Sequence, residues 1–247
     1  MRLSARPLLV VTIHAMNTGV IRAVCFDLDN TLWAIEPVLE RAERILADWM
    51  RTRYPRIPER FSPADIRTAR AALMLELPEK AHDLTFLSLE NLARLAQSVG
   101  YERDMAREAF AVWHAARNQC VPFDDVVPAL EKLKPRYRLA TLTNGNAHLD
   151  TIGIAHHFEV SLHAGALGCA KPDRRAYGAL AEALTLDPAQ ILFVGDEPQA
   201  DVAGPRNAGM QTVWVNRGGH AWPADLPSAD HVIADFHELV NLLTPGM

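Results

Sequence analysis

Aspartate residues follow two apolar runs of the sequence at the points where those runs end. Asp27 and Asp29 come directly after residues 21–26, and Asp196 comes one glycine after residues 191–194. Carboxylates that meet in one place repel one another, and at least one must bind a proton unless a cation neutralises the group. Mg2+ prefers oxygen ligands, typically one or two carboxylates together with water and substrate phosphate. If these aspartates converge, they predict a magnesium site.

Two further residues offer the groups that a phosphate dianion binds. Thr143 ends another apolar run and supplies a hydroxyl donor, and Lys171 supplies a point charge. Lys171 precedes Pro172, which favours extended backbone at the lysine and suits the first turn of a following helix. A site with a metal, a lysine, a hydroxyl and a bare carboxylate suits phosphoryl transfer, which depends mainly on positioning and charge neutralisation.

The spacing of Asp27 and Asp29 allows the two carboxylates to take different parts in one reaction. Asp27, at the end of the apolar run, can attack phosphorus and form an aspartyl-phosphate. Asp29, on the turn, can donate a proton to the leaving oxygen and then accept one from the hydrolytic water. These residues predict the hydrolysis of a small phosphate monoester.

The elements that must position these residues follow from hydrophobic patterning. Apolar runs predict buried strands at 21–26, 137–142, 191–194, 212–215 and 231–233, and helical spacing lies between them at 125–133, 172–184 and 235–243. Strands that alternate with helices form crossover units, and hence a parallel sheet covered on both faces. The carboxyl ends of parallel strands share one edge, where ligands bind. The sequence therefore predicts that the polar residues converge there.

The stretch between the first two predicted strands has a different pattern. Apolar residues recur at helical spacing from Glu36 to Gln119, with no strand signal among them. We therefore predict an α/β fold whose Rossmann-like parallel-sheet core, residues 1–35 and 120–247, carries an inserted all-helical cap at 36–119.

Composition limits the classes of partner. The chain has 247 residues and a net charge of -5, with no block rich in lysine or arginine, so no nucleic acid polymer is expected as a partner. Three widely separated cysteines lack metal-ligand spacing and indicate a reducing compartment. The apolar run within residues 1–16 is too short to span a bilayer. We expect a cytoplasmic protein without membrane contact, and the sequence leaves its oligomeric state open.

Four short motifs occur in an informative order along the chain. They are Asp-Leu-Asp-Asn-Thr at 27–31, Thr-Asn-Gly at 143–145, Lys171-Pro172, and Gly195-Asp196 with Asp201. Together they resemble the four signature motifs of the haloacid dehalogenase superfamily, over a core of about 21–215. The helical insertion resembles the cap of one large subclass.

The resemblance implies a role for each motif residue. Asp27 would be the nucleophile and a magnesium ligand, and Asp29 the general acid and base, which also lends its backbone carbonyl to the metal. The remaining roles implied are phosphate binding for Thr143, Asn144 and Lys171, metal binding for Asp196, and holding Lys171 or a metal-bound water for Asp201.

The resemblance also narrows the chemistry. The dehalogenases of the superfamily lack an aspartate in the place of Asp29, so the match favours phosphate esters. Residues 26–32, 82–85 and 143–147 resemble a bacterial branch that hydrolyses flavin mononucleotide and the phosphoribitylaminouracil intermediate of riboflavin synthesis. Three alternatives stay open: a phosphomutase on the same scaffold, a nucleotide or sugar phosphatase, and a phospho-receiver domain. A receiver is much shorter and lacks an acid like Asp29.

Overall fold

The six strands of the protein form a single parallel sheet. The structure, a computed structural model, describes residues 20–245, so the predictions for residues 1–16 lie outside the described residues. The strands are β1 (Ala23–Phe26), β2 (Arg138–Thr143), β3 (Val160–His163), β4 (Ile191–Gly195), β5 (Gln211–Val215) and β6 (His231–Ile233). Their order across the sheet is β3-β2-β1-β4-β5-β6. The predicted parallel α/β fold is confirmed.

The central strand β1 sets the alignment of the edge that carries the polar residues. Phe26, its last residue, pairs with Thr141 of β2 on one side and with Val194 of β4 on the other. The chain continues from β1 to β2 on one side and reaches β4 on the other, so the strand order reverses beside β1. This is the position at which open parallel sheets bind ligands.

Strand β3 was not predicted from the sequence. It pairs with β2 at the edge of the sheet, with Ala140 opposite Val160 and Thr143 opposite His163. Its four residues alternate between half-buried and exposed positions. An edge strand this short and this polar lacks the continuous apolar run that marked the other strands.

Helices fill residues 36–119, between β1 and β2, as predicted. They are α1 (Glu36–Arg53), α2 (Arg56–Arg60), α3 (Pro63–Glu76), α4 (Leu84–Ser98) and α5 (Met105–Arg117), with a 3-10 turn at Pro78–Lys80. Helix α5 packs on α1 and α4, and α3 packs on α4. Buried residues such as Leu46, Met50 and Ala109 form an apolar cluster of their own. The helical segment thus has a core separate from those of the sheet.

The remaining helices cover the two faces of the sheet. They are α6 (Val126–Leu133), α7 (Leu149–Ile152), α8 (Ala164–Leu167), α9 (Arg174–Leu184), α10 (Gly204–Asn207) and α11 (Phe236–Leu243), with 3-10 turns at Ala155–His157 and Pro188–Gln190 and a π-helix at Pro198–Ala203. Helices α6 and α11 pack with Val24 and Phe26 on one face. Helix α9 packs with Ala23 and Cys25 on the other. Successive side chains of β1 therefore point to opposite faces of the sheet, and helices cover both faces. Every residue of the strand is buried, which explains its unbroken apolar run.

The start of helix α9 lies just after Lys171 and Pro172. Helix α9 begins at Arg174 with Asp173 as its cap, whose side chain accepts a hydrogen bond from the Arg175 N–H. Pro172 therefore lies before the helix, and the prediction that it belongs to the first helical turn is wrong.

Among residues 20–245, no helix combines the length and the apolarity that a membrane crossing requires.

Candidate active site

The turn after β1 places the first two aspartates. The Asp27 N–H donates to the Val194 carbonyl at 2.9 Å, which continues the pairing of β1 with β4. Asn30 then adopts a left-handed backbone conformation with φ 61°. Its N–H donates to the Trp33 carbonyl at 2.7 Å, which closes the turn. Asn tolerates this conformation better than most residues, because its short side chain bonds locally.

Lys171 lies between two carboxylates. Its Nζ donates to Asp27 Oδ1 at 2.7 Å and to Asp201 Oδ1 at 2.6 Å, and the residue is only 5% exposed. The Asp201 Oδ2 accepts a hydrogen bond from the Glu197 N–H at 3.0 Å, so both oxygens of this buried carboxylate have partners. Asp201 therefore holds Lys171 beside Asp27.

Asn144 holds the loop that carries Lys171. Its Oδ1 accepts from the Lys171 N–H at 2.8 Å, and its Nδ2 donates to the Lys171 carbonyl at 2.9 Å. Both polar atoms of the Asn144 side chain are therefore used to hold the backbone of Lys171, and the phosphate contact predicted for Asn144 stays a prediction. Thr143, the last residue of β2, is buried, and its hydroxyl accepts a hydrogen bond from the Gly145 N–H at 3.0 Å.

One cavity brings the predicted site residues together. Its volume is about 220 Å³, and its lining includes every residue predicted for the site: Asp27, Asp29, Thr143, Asn144, Lys171, Asp196 and Asp201. Asp196, on the side of β4, accepts a hydrogen bond from the Thr31 hydroxyl at 3.1 Å. Residues separated by up to 174 positions thus meet at one edge of the sheet, as the strand pattern predicted.

The charges of this cavity favour a divalent cation. Carboxylate oxygens of Asp27, Asp196 and Asp201 lie within 4.8 Å of one another, and Lys171 brings a single positive charge to them. Burial raises the pKa of Asp27 above its ordinary value despite Lys171. Burial, reinforced by the charge of Asp201, raises the pKa of Asp196 to about 7. A divalent cation between these carboxylates would offset their mutual repulsion and favour their ionised form. A hard cation such as Mg2+ prefers oxygen ligands of this kind.

Asp29 is bound by two residues that the sequence did not assign to the site. Arg117, at the end of α5, donates through Nη2 to Asp29 Oδ1 at 2.8 Å and to Oδ2 at 2.7 Å. Trp33 Nε1 donates to Asp29 Oδ1 at 2.9 Å. The guanidinium is almost fully buried, with 2% of the side chain exposed. No local pattern distinguishes Arg117 from the other arginines, because its partner lies 88 positions away.

A second cavity adjoins the first between the helical segment and the core. It has a volume of about 260 Å³ and shares Asn144 and Gly145 with the cavity around Lys171. Its further lining includes His82, Asp83, Leu84 and Thr85 from the helical segment and Asn146, His163, Gly165 and Ala166 from the core. The Asn146 Nδ2 donates to the Thr85 hydroxyl at 3.3 Å across the boundary.

The motifs and their geometry agree with a comparison against known families. Residues 21–209 match the family described as haloacid dehalogenase-like hydrolase. The chain belongs to this family. It is an enzyme of the hydrolase class, and the superfamily resemblance stated from its four motifs is confirmed.

Named relatives of this haloacid dehalogenase-like hydrolase include curated phosphatases. It is 32% identical over 204 residues to the 5-amino-6-(5-phospho-D-ribitylamino)uracil phosphatase YigB of Escherichia coli (strain K12), covering 80% of this chain and 84% of the relative. It is 25% identical to the pyrimidine 5'-nucleotidase YjjG of the same organism, covering 89% and 96%. The interpretation as a phosphatase therefore agrees with both relatives.

A solved structure adds a dehalogenase to the relatives of this hydrolase. A 2-haloacid dehalogenase from Pseudomonas syringae pv. Tomato DC3000 superposes with a TM-score of 0.85 at 33% identity, covering 90% of this chain and 98% of that structure. The shared fold therefore supports both phosphate and halogen chemistry, and the residues of the site must distinguish them.

Proposed function

We propose that this hydrolase removes phosphate from a small phosphate monoester through an aspartyl-phosphate at Asp27, with the help of Mg2+. The observation that carries the proposal is the position of Lys171 between Asp27 and Asp201, with Thr143 and Asp196 lining the same cavity. A phosphate dianion in that cavity would meet an ammonium group and a hydroxyl beside a buried carboxylate.

Asp27 and Asp29 share the chemical steps. In the first, an Asp27 carboxylate oxygen bonds to phosphorus while the ester P–O bond breaks, and Asp29 gives its proton to the leaving oxygen. In the second, Asp29 takes a proton from a water molecule as the water oxygen attacks phosphorus and the P–O bond to Asp27 breaks, which releases phosphate and restores the Asp27 carboxylate. Thr143 and Lys171 hold the phosphoryl oxygens during both steps.

Mg2+ would be held by the carboxylates of Asp27 and Asp196 and by the backbone carbonyl of Asp29. Asp201 lies within reach, but its two oxygens already accept hydrogen bonds from Lys171 and from the Glu197 N–H. When bound, the cation neutralises charge on the carboxylates and on the phosphate.

For the substrate we propose a phosphate ester with a polyhydroxylated leaving group, as in the riboflavin pathway. Two observations support it. The 32% identical relative bears the name of a phosphoribitylaminouracil phosphatase. The second cavity offers hydrogen-bonding side chains from His82, Thr85, Asn146 and His163 within reach of the first cavity. We propose that residues 36–119 act as a cap that closes this cavity and excludes water from the reaction.

A screen of phosphate release tests the function. The purified protein with Mg2+ is offered 5-amino-6-(5-phospho-D-ribitylamino)uracil, flavin mononucleotide, pyrimidine 5'-nucleotides and sugar phosphates, with Asp27→Asn as the blank. We expect repeated turnover for the wild type and at least a thousand-fold lower rate for the variant, because the nucleophile is lost. Equal rates in the two proteins would refute covalent catalysis by Asp27. Transfer of the phosphoryl group to a second hydroxyl instead of water would indicate a phosphomutase.

Dehalogenation is the second candidate, favoured by the structural likeness to a 2-haloacid dehalogenase. A halide ion leaves without a proton, so Asp29 and its two donors would have no part in that step. We therefore expect no halide release from 2-chloropropionate under conditions that release phosphate. Halide release with no phosphatase activity would reverse the assignment.

A further inference from the structure

The two chain segments that join the helical segment to the sheet meet at Asp29. The first follows β1 and contains Trp33, whose indole N–H donates to Asp29 Oδ1. The second follows α5, whose last residue is Arg117. The Phe123 N–H of the second segment donates to the Leu32 carbonyl of the first at 2.9 Å. The carboxylate of Asp29 thus lies where both connections are tied together.

Arg117 is placed to serve this one carboxylate. Its Nη2 donates to both Asp29 oxygens at 2.7 and 2.8 Å, and its Nε and Nη1 donate longer hydrogen bonds of 3.4 Å to Asn146 Oδ1 and Cys120 Sγ. Among the described residues, Asp29 is its ion-pair partner. A buried guanidinium is costly unless it is paired, and an apolar side chain would fill the same space at lower cost. Packing alone therefore does not account for an arginine here.

The contacts also orient Asp29. Oδ1 receives hydrogen bonds from both Trp33 and Arg117, and Oδ2 receives one from Arg117. Oδ2 faces the loop after β2, since a Cβ at Gly145 would lie 2.8 Å from it and 3.3 Å from the Thr143 hydroxyl. Oδ2 is therefore the oxygen turned towards the phosphate-binding side of the cavity.

We propose that Arg117 is a positioning residue that holds Asp29 with Oδ2 directed at the leaving oxygen of the substrate. The proposal rests on the phosphatase function proposed above. In the first step the proton passes from Asp29 Oδ2 to the ester oxygen as the P–O bond breaks, and in the second it passes from water to Oδ2. Arg117 keeps its own protons throughout and acts through the geometry of Asp29.

This role predicts a dependence on the leaving group. An alkyl alkoxide needs a proton to leave, whereas p-nitrophenolate is stable enough to leave without one. A displaced Asp29 should therefore slow the transfer of phosphate to Asp27 much more from alkyl phosphates than from p-nitrophenyl phosphate. A variant that merely loosens the fold would slow both reactions equally.

The test compares kcat/KM on an alkyl phosphate and on p-nitrophenyl phosphate for Arg117→Met, with Asp29→Asn as the reference, because kcat/KM reports the phosphorylation of Asp27 and not the later hydrolysis that both esters share. We expect Arg117→Met to lower kcat/KM about a hundred-fold on the alkyl ester and less than about ten-fold on p-nitrophenyl phosphate. Arg117→Lys, which keeps the charge and one nitrogen donor but not the planar guanidinium, should recover part of the loss. Equal losses on both esters would overturn the proposal.

Arg41→Met is the matched control. Arg41 Nη2 also binds the end of α5 and the segment after it, through the Ala116 and Gln119 carbonyls, but among the described residues it forms no ion pair with Asp29. We expect it to show no selectivity between the two esters, and selectivity equal to that of Arg117→Met would overturn the proposal. If Arg117→Met does not fold, Trp33→Phe removes the other donor to Asp29 and must show a loss in the same direction.

The design separates this inference from the proposed function. A wild-type protein that releases no phosphate, or an Asp29→Asn variant without leaving-group selectivity, would refute the function proposed for Asp29. Selectivity in Asp29→Asn that is absent from both Arg117→Met and Trp33→Phe would refute only the role of Arg117.

Discussion

The carboxyl group of Asp201 packs directly against the α-carbon of Gly195. A Cβ at residue 195 would overlap the carboxyl group of Asp201, so only glycine leaves room for it. Asp201 in turn binds Lys171, which binds Asp27. The glycine at the end of β4 therefore sets the position of the lysine on the far side of the site.

We expect Gly195→Ala to displace Asp201 and to release Lys171 from its place beside Asp27. Phosphate release should fall by at least ten-fold, and overpacking should reduce the free energy of unfolding by about 1–3 kcal/mol. The control is Gly178→Ala in α9, where a new Cβ meets nothing within 4 Å. That variant should keep full activity and gain up to about 1 kcal/mol. Steady-state kinetics and urea unfolding measure both effects, and full activity in Gly195→Ala would contradict the role of Asp201.

Removal of the metal should abolish the reaction and lower the stability. EDTA should stop phosphate release, and added Mg2+ should restore it. Because the folded site gathers carboxylates that the unfolded chain disperses, Mg2+ at a hundred times its Kd should stabilise the fold by about 2.7 kcal/mol. Asp196→Asn should lose most of this stabilisation in thermal unfolding with and without Mg2+. Activity that survives EDTA would contradict the metal assignment.

The second cavity should determine affinity for the leaving group. His82→Ala removes a side chain that lines this cavity but not the one around Lys171. We expect KM for the preferred substrate to rise up to about ten-fold, as the loss of one hydrogen bond allows, with KM for p-nitrophenyl phosphate unchanged. His156→Ala, exposed and outside both cavities, is the control. A rise in KM for both substrates would show that His82 acts on the phosphate site instead.

The stability of the core should depend on pH through Asp125. Burial alone would raise its pKa, but the hydrogen bond from the Phe236 N–H and the ion pair with Arg217 outweigh burial and hold the pKa below its ordinary value. A lowered pKa means that Asp125 stabilises the fold above the ordinary carboxyl range, and that this stabilisation is lost as the pH falls through the lowered pKa.

Asp125→Asn measures this contribution. Relative to the wild type, its free energy of unfolding should be lower by about 2 kcal/mol at pH 7, and the difference should shrink below about pH 4. Asp124→Asn, at the exposed neighbouring position, should change little at either pH. Urea unfolding at several pH values gives both comparisons, and a difference that grows towards acid pH would contradict the assigned sign.

Much of the fold followed from local pattern. Runs such as 191–194 predict a strand because residues buried on both faces of a sheet must be apolar at every position. Asp27 and Asp196 could be placed at one edge because parallel strands align their carboxyl ends. Strand β3 was not predicted, because the residues of a half-exposed edge strand need not all be apolar. The predicted helix began at Pro172, whereas α9 begins at Arg174, because Asp173 and not a residue before Pro172 caps the helix.

The sequence by itself determined the strands other than β3, the helical insertion and the candidate residues of the site, because these depend on residue type and on short-range spacing. Only the tertiary structure decided which other side chains hold the site residues in position. The amide of Asn144 serves the Lys171 backbone, and Arg117 reaches Asp29 from the end of a helix 88 positions along the chain. Such pairings arise when separate elements pack together, and contacts between distant elements do not follow from any periodic pattern of residues in the sequence.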